Sequence, residues 1–460
     1  MNTLLLTPSD TLFFRDGRPM SGSLGGHGAA WPLPNVTNAA LHAALWRAGD
    51  TFTTAHRHRR GRSGAWDDGH RDRKFGSLIT AGPFPVLDGT WMFPRPLDAA
   101  LAENGCQATL LPLAQGFDRD RSSLPAPLRY AVANTQGPTK QQPRPWWNRS
   151  AWHAYAGIPD TDASPEFCND DCFSDTEFSY GIGIDPERGT QDGERFYSAH
   201  SLRLKPDCQL GLLAQAEDKE FKNESGSNDL IQSLFPETGK ATPIIVGGQQ
   251  RLSSVTRERP STLPLPLGKT SGFAQKGADG NVAYLVKWVL LSPAVFPLIE
   301  AGISKRGTAR KAHHGGWLPT WICPDTGNVL LQVVDEAERK RRRHLNTAGK
   351  GYESHPDIPA QLVAALVGKA VPVTGYALPH ETTGSAGGSK PTHLAVPAGS
   401  VYYFQCKEEE DARKLAAALN WHGSGDGSRI ANRRSTLFGE KGFGLGICGT
   451  WRFHDVPIPA

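Results

Sequence analysis

Three stretches of this chain put positive charge beside glycines or rings, the combination that grips phosphates and stacks on bases. The first holds Arg15, Asp16 and Arg18, with His27 shortly after. Two guanidiniums in one turn can clamp a phosphate, against the plainer alternative of an Asp16-centred turn with Arg15 in a surface ion pair. The second runs from Lys305 to Trp317 and carries Lys305, Arg306, Arg310, Lys311, His313 and His314, with no acid after Ile303. Gly307, Gly315 and Gly316 keep that backbone supple, and its histidines and tryptophan can stack. The third is Gly442, Phe443, Gly444 and Gly446, where glycines allow close approach of a backbone to a nucleic acid strand or, equally, of a strand to a packed neighbour.

Other spacings exclude chemistry. Gly444-x-Gly446-x-x-Gly449 matches a dinucleotide fingerprint, but eleven residues remain after Gly449, too few for the helix and strand that the fingerprint needs. Gly268-Lys269-Thr270 has Leu263 where a phosphate-binding loop needs its first glycine, and prolines surround it. Cys168 and Cys172 lie among Glu166, Asp170 and Asp171 without a second pair at ligand spacing, so an acidic loop is favoured over a zinc site and no metal or cofactor is expected. His27 has no nucleophile or second base placed beside it by sequence. The run Arg339 to Arg343 is strongly charged, and a solvated helix face or interaction tail is favoured there over RNA contact.

These residues need elements to position them. Leu4 to Phe14 reads as a strand, and a glycine-rich turn leads into a helix from about Val36 to Ala48, with Asn35 or Thr37 available as cap and Gly49 as stop. Residues 50–76 are basic and aperiodic and read as an exposed insertion. Glu177 to Asp185 and Arg195 to Leu204 alternate apolar and polar residues across a turn-rich loop, a hairpin expected to supply middle strands. A short helix at Asp229 to Phe235 and a strand from Pro243 to Gly248, just before Arg251, close a first β-α-β-β-α-β unit. Glu258 to Asn281 has the Pro, Gly, Ser and Thr density of a linker or crossover. A second unit follows: strands at Tyr284 to Phe296 and Asn328 to Val334, a strand at Gly399 to Cys406, a helix at about Glu408 to Trp421 with an acidic first turn, and a strand around Gly442 to Phe453.

The expected fold is therefore α+β, two ferredoxin-like domains of the RNA-recognition type with long loop insertions, at 1–257 and 282–460 around a crossover at 258–281. At 460 residues the chain exceeds a single core, and Gly 50 with Pro 35 implies many loops. A net charge of +4 disfavours a protein that coats nucleic acid without regard to sequence, while leaving room for local patches. Seven cysteines without framework spacing suggest reduced thiols. The first residues lack the pattern of a secretory signal, and the most apolar run, Ala283 to Ile299, is broken by Lys287 and two prolines, so a cytoplasmic protein with no membrane span is expected.

An ordered set of motifs resembles a known family. Phe13-Phe-Arg-Asp-Gly-Arg-Pro19, Tyr180-Gly-Ile-Gly-Ile-Asp185 with Phe196-Tyr-Ser198, Val246-Gly-Gly248 before Arg251, Leu291-Ser-Pro-Ala-Val-Phe296 with Gly316-Trp-Leu-Pro-Thr-Trp321, and Pro397-Ala-Gly-Ser-Val-Tyr-Tyr-Phe404 are similar to segments of the third subunit of the type III-B CRISPR Cmr effector module, in the repeat-associated mysterious protein superfamily. The resemblance implies a non-catalytic subunit that holds the repeat-derived 5′ tag of the CRISPR RNA beside the large cyclase subunit and the first backbone subunit, and meets target RNA only indirectly. The RNA-binding set it suggests is Arg15, Arg18, His27, Asn35, Asn38, Arg251, Lys305, Arg306, Arg310, Lys311, His313, His314, Trp317, Gly442, Phe443, Gly444 and Gly446. The chain departs from the family where Gln249 follows Gly247-Gly248 instead of an acid, and where Phe443 stands between glycines instead of a basic residue. Two rivals remain: an endoribonuclease processing repeat RNA with His27, and an adaptor that touches only protein.

Overall fold

The computed structural model describes residues 1–14, 25–26, 31–48, 78–102, 105–113, 123–135, 143–159, 164–217, 226–236, 241–277, 280–303, 309–332, 357–377 and 387–454. It is a mixed α/β protein, mostly sheet with few helices. In chain order the elements that matter here begin with β1 (Asn2–Pro8), α1 (Pro34–Arg47), β2 (Leu78–Leu87), β3 (Thr90–Pro94), β4 (Trp146–Asn148), α2 (Arg149–Ala156) and β5 (Phe167–Cys168). Next come β6 (Ser174–Ile184), β7 (Gln191–Leu204), β8 (Cys208–Ala216), α3 (Leu230–Leu234), β9 (Thr242–Ile245) and β10 (Leu252–Glu258). The second half supplies β11 (Ala274–Lys276), β12 (Val282–Leu290), β13 (Ala360–Leu366), β14 (Val401–Cys406), α4 (Glu409–Leu419) and β15 (Gly446–Thr450).

Eight strands form the first sheet, in the order β5-β4-β3-β2-β8-β1-β10-β9. Its central strand β1 pairs antiparallel with β8 and β10, and Leu4 and Leu6 sit opposite Leu212 and Leu210. These four leucines bury one sheet face under Ala40, Leu41 and Leu45 of α1 and Leu230 and Ile231 of α3. Asp229 caps α3, its carboxylate accepting from the Ile231 and Ala216 amides, so the cap also ties the helix to the end of β8.

The second sheet runs β11-β12-β14-β13, with β15 on the same side of β12 as β11. Both faces of β12 are buried. Val286, Trp288 and Leu290 pack with Ala412, Leu415, Ala416 and Leu419 of α4. Leu285 and Val289 face the other way, into a cluster shared with Ala81 and Phe84 of β2 and Trp147, Trp152 and Tyr155 of the first half. The acidic first turn of α4, Glu409, Glu410 and Asp411, complements the positive helix end as its sequence predicts.

Three expectations need correction. The hairpin β6–β7 exists, but it forms its own ribbon with Gly25–Gly26 and contributes no strand to the first sheet. The middle of that sheet is β2, β8, β1 and β10. The strand before Arg251 is β9 at the sheet edge, and it is the next strand, β10, that lies beside β1. Among the described residues around Asn328 there are only isolated bridges, Ile322 to Val329 and Asn328 to Gln361.

The proline-rich segment between the halves is an ordered strap. Leu263, Leu265 and Phe273 are buried, and the Leu267 and Gly268 amides donate to His153 Nε2 and His422 Nε2, each at 2.9 Å. Trp421 Nε1 donates to the Pro266 carbonyl at 2.7 Å, and Glu409 accepts from the Gly272 amide at 2.7 Å. Burial lowers the pKa of His422 below the usual histidine value, which keeps Nε2 an acceptor.

Candidate nucleic-acid interface

The structure brings five of the expected residues to one junction between the sheets. At the start of α1, Asn35 Nδ2 donates to the Thr374 carbonyl at 3.0 Å, and Asn38, buried, donates to Thr80 Oγ1 on β2 at 3.0 Å. Across from them comes the turn Gly439–Lys441 and then Gly442 at φ +97°, where a Cβ would sit 2.9 Å from Ala81 Cα and 3.0 Å from the Thr80 carbonyl oxygen. Gly444, at φ +77°, leaves no room for a Cβ against the Ser435 amide. Leu33, just before α1, packs with Phe443, Val295 and Val373. The glycines thus serve close approach of protein to protein, the plainer of the two readings their spacing allowed. Gly446 follows the same rule, lying against the Trp288 indole.

Phe443 is fully buried, so no face of its ring is open to a base. His313 is also interior: Nδ1 accepts from the Gly315 amide and Nε2 faces the Ile322 carbonyl, both at 2.9 Å, which places the proton on Nε2. Burial lowers its pKa, and the neutral ring holds the loop in place. Its neighbours face outward: Lys311 and His314 are exposed, Trp317 is half-buried, and the His314 and Trp317 rings lie 6.1 Å apart. Arg310 ends a two-stranded ribbon of Gly302–Ile303 with Ala309–Arg310. Arg251 is remote from the junction, bridging to Asp10 at 3.0 Å and to Gln249 at 3.1 Å. Arg15, Arg18, His27, Lys305 and Arg306 lie outside the described residues.

Sequence reasoning missed a buried polar cluster near this junction. Lys287 Nζ lies 3.1 Å from Asp98 Oδ2 and 3.7 Å from the centre of the Tyr155 ring. Tyr155 donates to Asp98 Oδ1 at 2.6 Å and Tyr403 to Asp98 Oδ2 at 3.3 Å. Burial lowers the pKa of Lys287, with Asp98 opposing, and burial beside Asp98 raises both tyrosines well above their usual value. The groups are buried, and they join β12 and β14 to the first half. The signal was present: a lysine in the middle of the apolar run Val282–Leu290 is costly unless paired.

Among the described residues no group of three or more His, Cys, Asp or Glu is arranged to hold a metal ion, and no helix is long and apolar enough to cross a membrane. Comparison with known proteins gives one family: the model of the CRISPR-associated protein (Cas_Cmr3) matches residues 4–451. No curated protein matches the chain. Two solved structures show low similarity, a chain of the Type III-B Cmr-beta bound to cognate target RNA and a chain of the same assembly bound to cognate target RNA and AMPPnP. Each is 12% identical, with 87% of this chain and 86% of that chain covered and a TM-score of 0.36.

Proposed function

Because the chain belongs to the family of the CRISPR-associated protein Cas_Cmr3, we propose that it is the non-catalytic RNA-binding subunit of a type III-B effector ribonucleoprotein, working in the cytoplasm in antiviral defence. It holds the repeat-derived 5′ tag of the guide and docks to the large cyclase subunit and the first backbone subunit. The observation that carries this is the family match over residues 4–451, a span that contains all of the ordered motifs.

Topology supports the accompanying fold reading. In the first sheet β10-β1-β8-β2 is the fourth-first-third-second order of a β-α-β-β-α-β unit, with α1 after its first strand and α3 after its third. In the second sheet β15-β12-β14-β13 repeats that order with α4 after the third strand. We read these as two ferredoxin-like units, the first extended by extra edge strands. On this reading the RNA runs over the outside of the junction between them, whose glycines and Phe443 are occupied by protein, and meets Lys311, His314 and Trp317. Single-stranded RNA is read there by phosphate contacts and by stacking worth roughly 1–3 kcal/mol per base.

The test is binding of the purified chain, alone and with the large cyclase subunit, to a CRISPR RNA carrying or lacking its 5′ tag. Tag-dependent binding that weakens steeply between about 50 and 200 mM salt is expected. Equal binding with and without the tag, or none in either setting, overturns the assignment in favour of a protein-contacting adaptor.

A further inference from the structure

The segment Arg429 to Lys441 carries Arg429, Arg433, Arg434 and Lys441 against one acid, Glu440. Its cations are unequally employed. Arg434 is spent inside the fold, with Nε on the Ala418 carbonyl at 2.6 Å and a terminal nitrogen on Asn432 Oδ1 at 3.2 Å. Arg433 is not: its Nε is shielded from solvent and makes no hydrogen bond. Burial pushes that guanidinium down to about 10, with Glu440 opposing from a distance. A half-buried cation short of partners is unfavourable unless something supplies negative charge.

Geometry ties Arg433 to Lys441. Gly439, the first residue of the turn Gly439–Lys441, lies against the Arg433 stem, with 3.5 Å from its ideal Cβ position to Arg433 Cβ. The last residue of the turn, Lys441, holds its ammonium 4.6 Å over the Phe438 ring, a contact that fixes the side chain without neutralising it. The next residue, Gly442, rests on Thr80 and Ala81 of β2, beside the start of α1. Two cations therefore flank one turn at the seam of the two sheets, held by packing, with the exposed Glu440 as the single acid between them.

We propose that Arg433 and Lys441 form a phosphate seat at this junction, contacting the backbone of the bound RNA. The inference rests on the RNA-binding reading above and names residues for it that the motifs did not. Each single-strand phosphate contact contributes about 0.7 to the slope of log affinity against log salt. The full-length chain and the double variant Arg433→Gln, Lys441→Gln are titrated with tagged CRISPR RNA over a salt series, with thermal melting of both proteins alongside. The expected result is a slope shallower by about 1.4 in the double variant. Should Arg433→Gln fail to fold, Lys441→Gln alone is expected to lose about 0.7, and Arg433→Lys to restore folding with most of the slope. An unchanged slope in a folded variant overturns the seat while leaving the RNA-binding reading standing. Absence of RNA binding by the unaltered chain, both alone and with the large cyclase subunit, overturns both.

Discussion

Lys287 and Asp98 form a buried ion pair between the two halves. Both side chains are buried, at 2% and 0% exposure, so each charge depends on the other and on Tyr155 and Tyr403. Removing one partner leaves the other buried and uncompensated, which typically costs about 3–5 kcal/mol, whereas replacing both by apolar groups is often neutral. Asp98→Ala is therefore expected to lose about 3–5 kcal/mol in urea unfolding, and Asp98→Ala with Lys287→Met to recover most of it. A double variant as unstable as the single one would mean that the tyrosine hydroxyls, and not the lysine, need the carboxylate. The buried histidines give a pH dependence of known sign. His313 and His422 have folded values below their ordinary 6.5, so the unfolded chain takes up protons first. Their contribution is complete above about pH 6.5 and is lost as pH falls through the folded values. Protonating either ring removes the acceptor for the Gly315 or the Gly268 amide. His422→Gln should flatten the loss of stability as pH falls below about 6.5, which denaturant midpoints on either side of that pH would check.

At the scale of elements, the ribbon β6–β7 shows how alternation is to be read. Phe178, Tyr180, Ile182 and Ile184 alternate along β6 and are 49–70% exposed, although each is apolar. Replacing Ile182 and Ile184 by Ser should move stability within about 0.5 kcal/mol, while Leu212→Ala in β8 should cost about 2–5 kcal/mol. A large loss from the ribbon variants in the isolated chain would show that this face is covered. The same contrast explains what was legible. Alternation marks a strand with one face away from the core, so it found the hairpin and then misplaced it in the sheet centre. The true central strands β2 and β8 are nearly continuous apolar runs, the mark of burial on both faces, and they carry no alternation to detect. The helix α4 was legible because leucines four apart and an acidic first turn are local, whereas α1 was placed but starts at Pro34, so that Asn35 and Thr37, expected as caps, lie inside it and bond to the Thr374 and Pro34 carbonyls. Of the site, Asn35, Asn38 and the glycines at 442 and 444 were found, but not that they meet, since Gly442 reaches Thr80 only through the complete fold. Arg433 was passed over because whether its neighbours satisfy an arginine is a property of packing, not of spacing.

For the whole molecule, the question is what makes one body of two sheets. A flexible linker of this composition would leave them free, yet the segment from Leu263 to Phe273 is held from both sides: His153 of α2 from the first half, and His422, Asn420 and Trp421 from the end of α4. Lys269 is in the middle of it, its amide donating to the Cys448 carbonyl of β15 at 2.7 Å and its carbonyl accepting from Asn420 at 3.0 Å. A protease needs several residues of extended, detached backbone, so cleavage there requires the strap to open. Arg188 provides the internal comparison, being 82% exposed in the turn of the ribbon. Limited trypsin treatment of the native chain should therefore cut after Arg188 well before Lys269. His422→Ala, which removes the acceptor for the Gly268 amide, should bring the Lys269 cut forward while leaving the Arg188 cut unchanged. Early cleavage after Lys269 in the unaltered chain would mean that the strap is a linker after all, and that the seam carrying Gly442, Arg433 and Lys441 is not fixed until a partner or an RNA closes it.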